Sequence, residues 1–188
     1  LAGCTGDGGA SDTAALDTSH ACELTERDPV AALSQPVDGS SDATVTVDVF
    51  EDFACPHCAD FATGGLSQLK TDYLNGENVR FRHFDFPIPV SEWSNRVANA
   101  ARSVQQTQDD AAFFKFSLAA YENYSDYSWQ LVGDLAEAVG ADPCRVLSDA
   151  SNATYEQVVS GNRQTGADRA VASNPGHSLN DTLIPPPD

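Results

Sequence analysis

At 188 residues, 41% of them hydrophobic, the chain is long enough for one ordinary domain and apolar enough to bury a core, which excludes wholesale disorder. It carries 28 acidic against 10 basic residues, a net charge of −18, and a surface of that sign repels nucleic acid and anionic lipid. No apolar run approaches the roughly 18 residues that a bilayer-spanning helix needs.

In chain order, Leu1-Ala2-Gly3-Cys4 resembles the lipobox of exported lipoproteins, which implies a lipid on Cys4 and membrane contact through it. The Gly-, Ser- and Asp-rich stretch that follows has nothing to bury and reads as a flexible tether. On this reading residues 1–41 are lipobox and tether, and the folded domain occupies 42–188. Lys70 and Lys115 are the only lysines, and an Asp-rich, Lys-poor composition resembles that of proteins from salt-loving organisms. High salt screens the self-repulsion of such a surface, so the melting temperature is expected to fall on dialysis into low salt. A melting temperature indifferent to salt would contradict this expectation.

Thr44 to Phe50 is rich in β-branched residues and predicts a strand; Ala59 to Leu74 predicts a helix closed by Asn75-Gly76; Asn78 to Phe84 alternates and predicts a second strand. That spacing is a βαβ unit with parallel strands. From about 92 to 166 the pattern is helical. Val97, Ala100, Ala101 and Val104 share one face, and Ala112, Phe113, Phe116 and Ala120 another. Leu131, Val132, Leu135 and Val139 form a third, broken at Gly140 before Pro143 opens a further helix. Asn180-Asp181 between two short apolar runs predicts a hairpin turn. The fold class is α/β.

Five cysteines punctuate the chain: Cys4, Cys22, Cys55, Cys58 and Cys144. A CxxC beside a βα junction is the signature of a dithiol redox site. The spacing puts the first sulfur at a helix N-terminus and the second one turn later. Free N–H groups and the helix dipole stabilise a thiolate there, so Cys55 is the expected nucleophile and Cys58 the resolving thiol. His57, between them, adds to that stabilisation when protonated. Glu51, Asp52 and Asp60 are negative and oppose it. His20, His83 and His177 show no metal-ligand spacing.

The segment Val47 to Cys58, ending Cys55-Pro56-His57-Cys58, resembles the active-site strand and turn of the DsbA-like branch of the thioredoxin superfamily. The resemblance covers roughly residues 42 to 184. It implies a thioredoxin-like fold with a helical insertion, about 92–166, between the βαβ unit and the C-terminal ββ hairpin. It also implies a cis-proline opposite the dithiol, matched here by Pro175, with the Asn174 backbone pairing to substrate peptide. The position at which DsbA-like sequences often carry a buried acid, six before the first cysteine, is Val49.

The implied activity is the formation or shuffling of disulfide bonds in exported proteins, without any cofactor beyond the Cys55–Cys58 pair. The implied partners are cysteine-bearing exported substrates and a membrane redox protein for recycling. A reductase serving cytochrome or metal-site maturation is the alternative. So is a metal-binding lipoprotein that uses Cys55, Cys58 and a histidine, which lacks a second ligand pair. In an oxidising compartment Cys22 and Cys144 either pair as a structural disulfide or remain two free thiols.

Overall fold

The computed structural model describes residues 16–73, 78–88 and 91–184. Cys4 and the Asn75-Gly76 helix stop lie outside the described residues. Five strands form one sheet: β1 (Val37–Gly39), β2 (Val45–Glu51), β3 (Val79–Asp85), β4 (Gly176–Leu179) and β5 (Thr182–Ile184). Their order is β1-β3-β2-β4-β5, with β2 and β3 parallel and every other pair antiparallel. The parallel pair is joined by α1 (Pro56–Asp60), a π-helical turn (Phe61–Gly65) and α2 (Leu66–Tyr73). The sequence predicts one regular helix here. The wider turn falls where Gly64 and Gly65 weaken the helix and the Thr63 hydroxyl donates to the Ala59 carbonyl at 2.8 Å.

Strand alternation sends Val49 and Phe81 to one face, where Leu66 of α2 covers them. Phe50 and Phe84 face the other side and stack at 4.7 Å. There the last helix, α7 (Glu156–Asp168), packs on β3. Gly166 permits the close approach, since a Cβ at that position would sit 2.6 Å from the Phe86 ring. The helix α7 therefore belongs to the sheet's own layers, although the sequence groups it with the insertion.

The rest of the helical region is a packed unit of α3 (Trp93–Thr107), α4 (Asp110–Glu122), α5 (Trp129–Ala138) and α6 (Pro143–Ser151). Asp109, Ser128 and Asp142 cap the last three, each side chain accepting a backbone N–H from the first turn. The predicted apolar faces of α3 and α4 are buried in the largest core cluster, which also holds Phe53, Cys55, Cys58 and Ala59. The dithiol thus sits where sheet and helical unit meet. At the chain's end Asn180 and Asp181 adopt φ of 46° and 64°, the left-handed pair that a two-residue hairpin turn requires.

The predicted boundary at residue 42 is displaced. Residues 16–36 run as a strap over the helical unit and lead into β1, which pairs with β3. Leu16, Cys22 and Leu24 pack on the main core. The Val30 N–H donates to the Thr154 carbonyl at 2.8 Å, and Arg27 makes a forked pair with Asp149 at 2.6 and 2.7 Å. Cys22 and Cys144 are bonded to each other. Leucine, cysteine and arginine at wide intervals have no periodicity, so the sequence reads them as tether; they are ordered by what they meet.

Candidate active site

Strand β2 delivers the chain into the site. Its register beside β3 ends at Glu51 opposite Asp85, and Asp52 and Phe53 turn into the N-terminus of α1. Cys55 is the N-cap of α1 and Pro56 its first residue, a position where proline loses no hydrogen bond. Both cysteines are free thiols. Cys55 is 5% exposed and Cys58 0%, while Pro56 and His57 lie on the surface. Burial pushes the Cys58 thiol far up, and the negative charge of Glu51 adds to the push. At neutral pH Cys58 therefore keeps its proton.

The Asn174–Pro175 peptide bond is cis. It immediately precedes β4, whose first residue Gly176 pairs with Phe50 near the end of β2, so the topology brings this loop to the dithiol end of the sheet. The Asn174 side chain donates to the Phe86 carbonyl at 2.9 Å. Its backbone groups make no hydrogen bond among the described residues.

Two acids treated as neighbours in the sequence prove to be interior. Asp52 is 1% exposed: its carboxylate accepts the Ala54 N–H at 2.8 Å, the Ile88 N–H at 2.8 Å and the Ser94 hydroxyl at 2.9 Å. Its own N–H faces the Cys58 sulfur at 3.5 Å. One side chain thereby ties the CxxC turn to the loop after β3 and to the start of α3. Burial raises the Asp52 pKa, and those hydrogen bonds limit the rise.

Glu51 points into the protein on the same strand face as Val49. Its Oε2 lies 3.3 Å from His83 Nδ1, His83 Nε2 lies 3.3 Å from Asp85, and Asp85 accepts from Arg102 at 2.7 Å. The buried acid absent at Val49 is thus found two residues later, at Glu51, where its charge still acts on Cys58. The signal in the sequence is alternation, since Val45, Val47, Val49 and Glu51 share one parity on a strand buried at that end.

Burial alone would lower the His83 pKa, but hydrogen bonds and charge from Asp85 and Glu51 outweigh it, and the net shift is upward. A raised folded pKa contributes stability that is whole below the unfolded value of about 6.5 and is lost as pH rises through the folded value. His83→Asn is expected to cost most stability at acid pH and progressively less toward pH 9. A difference in denaturation midpoint that stays constant across pH would refute the charged His83.

Among the described residues no three His, Cys, Asp or Glu side chains are grouped as a metal ion requires. None of their helices is long and apolar enough to cross a membrane.

A parallel βαβ unit with the dithiol at its helix N-terminus, a cis-proline loop beside it and a closing ββ hairpin is the geometry that the sequence resemblance anticipates. The sequence model described as thioredoxin matches residues 32–187. The chain belongs to the thioredoxin family. Disulfide bond formation protein D of Bacillus subtilis (strain 168) is 24% identical over 156 residues, 80% of this thioredoxin-family chain and 69% of that protein. The crystal structure of oxidised BdbD from Bacillus subtilis superposes with a TM-score of 0.74 at 24% identity, covering 85% of this chain and 91% of that one. Chlamydia trachomatis DsbA superposes with a TM-score of 0.70 at 18% identity, covering 87% and 90%. A 114-residue stretch also matches Na(+)/H(+) antiporter NhaA 1 of Mycobacterium sp. (strain KMS), but covers only 18% of that protein. Within its family the chain is a DsbA-like thiol–disulfide oxidoreductase.

Proposed function

We propose that this oxidoreductase works outside the cytoplasm and forms or shuffles disulfide bonds in exported proteins. Its oxidised form carries the Cys55–Cys58 disulfide. A substrate thiolate attacks the Cys55 sulfur, giving a mixed disulfide and releasing Cys58 as a thiol. A second substrate thiolate then attacks the first substrate sulfur of that mixed disulfide, forming the substrate disulfide and displacing Cys55. Two electrons and two protons pass from the substrate to the dithiol, and a membrane redox partner reoxidises it. Cys55, at the N-cap of α1 beside the exposed His57, is the leaving group of this second step. The free backbone of Asn174, beside Pro175, offers an extended substrate segment its hydrogen bonds. Lipid on Cys4 tethers the enzyme to the membrane.

The observation that carries the reading is the coexistence of two kinds of cysteine pair. Cys22 and Cys144 are joined between the strap and α6, as suits an oxidising compartment, whereas Cys55 and Cys58 are both free at the N-terminus of α1. The deciding experiment measures the potential of the Cys55–Cys58 pair in high salt, together with oxidative refolding of reduced ribonuclease A. The proposal expects a potential well above that of thioredoxin, toward about −120 mV, and catalysed recovery of ribonuclease activity. A potential near −270 mV without catalysed refolding would assign the protein to reductive work instead.

A further inference from the structure

Directly after β3, every backbone donor and acceptor of Phe86-Pro87-Ile88 is bonded to another part of the molecule. The Phe86 N–H donates to the Glu51 carbonyl at 2.8 Å, and the Phe86 carbonyl accepts the Asn174 side-chain amide at 2.9 Å. The Pro87 carbonyl accepts Arg163 Nε from α7 at 3.0 Å. The Ile88 N–H donates to the Asp52 carboxylate at 2.8 Å, and its carbonyl accepts the Ser94 hydroxyl at 3.1 Å. Pro87 has a fixed φ and no N–H to leave unpaired. The Phe86 ring meets Phe50 edge-on at 6.2 Å and closes on α7 at Gly166, where a Cβ would not fit. A loop so fully bonded is a rigid part, not a flexible connection.

Its two ends reach the two halves of the active site. At Ile88 it meets Asp52, whose carboxylate also takes the Ala54 N–H of the turn that leads to Cys55. At Phe86 it meets Asn174, the residue before the cis bond to Pro175. The Asn174 amide is a poor choice for packing alone, because its Oδ1 is buried without a partner among the described residues. What the amide supplies is one directed donor, aimed at Phe86.

We propose that Phe86-Pro87-Ile88 is a strut that sets the substrate-pairing edge relative to Cys55, and that Asn174 is the positioning residue coupling the edge to it. The Asn174 backbone pairs with the substrate segment while its side chain keeps that backbone in place. This rests on the reading of the Asn174 backbone given above. A polypeptide that must meet Cys55 and the edge together depends on the strut, whereas a small dithiol that touches only sulfur does not.

The test compares a short reduced peptide carrying two cysteines with dithiothreitol, each reacted in single turnover with the oxidised full chain in high salt. Asn174→Leu keeps the size of the side chain and removes the donor. Its half-saturating peptide concentration is expected to rise about tenfold with the limiting rate within about twofold, while the rate with dithiothreitol stays at the parent value. A change in the reactivity of the dithiol itself would move both reagents alike, so the ratio of their rates isolates positioning. Arg163→Met, at an exposed position of α7, frees the Pro87 carbonyl and is expected to shift the same ratio in the same direction by a smaller factor. It carries the test should Asn174→Leu fail to fold. A ratio equal to the parent's in Asn174→Leu, or in Arg163→Met if only that variant folds, would overturn the proposal. A parent without any preference for the peptide over dithiothreitol would remove the pairing edge itself, and the strut's role with it. Should the dithiol prove reductive, the same comparison runs with the reduced chain and the two oxidised reagents.

Discussion

Replacing both Cys22 and Cys144 by serine is expected to lower the unfolding free energy by about 5 kcal/mol in the chain-entropy account of a disulfide. The bond spans 122 residues of sequence, so its absence restores a very large loop to the unfolded ensemble. Domains of this size are stable by only about 5–15 kcal/mol in total, so the variant is expected to be marginal at ambient temperature. Equilibrium denaturation in high salt, comparing the double variant with the parent, measures the effect without a reductant that would also hold Cys55 and Cys58 reduced. The strap has other anchors in Arg27 on Asp149 and in Thr25 on Ser148, so its local position can survive. A loss below about 1 kcal/mol would mean that the unfolded chain is already constrained and that the entropic account fails here.

Arg102→Met is expected to cost about 3–5 kcal/mol, the usual penalty for removing one member of a buried ion pair. Arg102 and Asp85 are 0% and 1% exposed, and the guanidinium also meets Gln105 and Gln35 from α3 and the strap. Burial by itself would raise the Asp85 pKa, yet the Arg102 charge and the His83 hydrogen bond outweigh it, and the pKa is lowered. Without Arg102 that carboxylate is left with His83 alone. Asp85→Asn removes the stranded charge, so the double variant Arg102→Met with Asp85→Asn is expected to lose clearly less than the two single losses added together. Strict additivity in denaturant midpoints would show that the two side chains are not energetically coupled.

The features legible in the sequence are those written at short range. The CxxC at a strand–helix junction, the alternation of β3, the apolar faces of α3 and α4, and the Asn180-Asp181 turn each need only about a dozen neighbouring residues. What escapes is written across the chain. Asp85 and Arg102 are 17 residues apart, Arg27 and Asp149 are 122 apart, and no local pattern says that either pair meets. Composition also misleads at Glu51 and Asp52, because in so acidic a chain another carboxylate reads as solvated surface. Only the strand parity at Glu51, and the three donors gathered on Asp52, mark them as interior.

The strap has a consequence for how the molecule is made. Residues 16–36 are synthesised before the α6 surface on which Cys22 closes, which is completed more than a hundred residues later. Until then Cys22 has no Cys144 to bond and remains a thiol in the nascent chain. Closure needs an external electron acceptor, and Cys22–Cys144 is a bond of the very kind proposed as this enzyme's product. On the function proposed above, each new copy needs in its own folding the kind of reaction that it would carry out once folded.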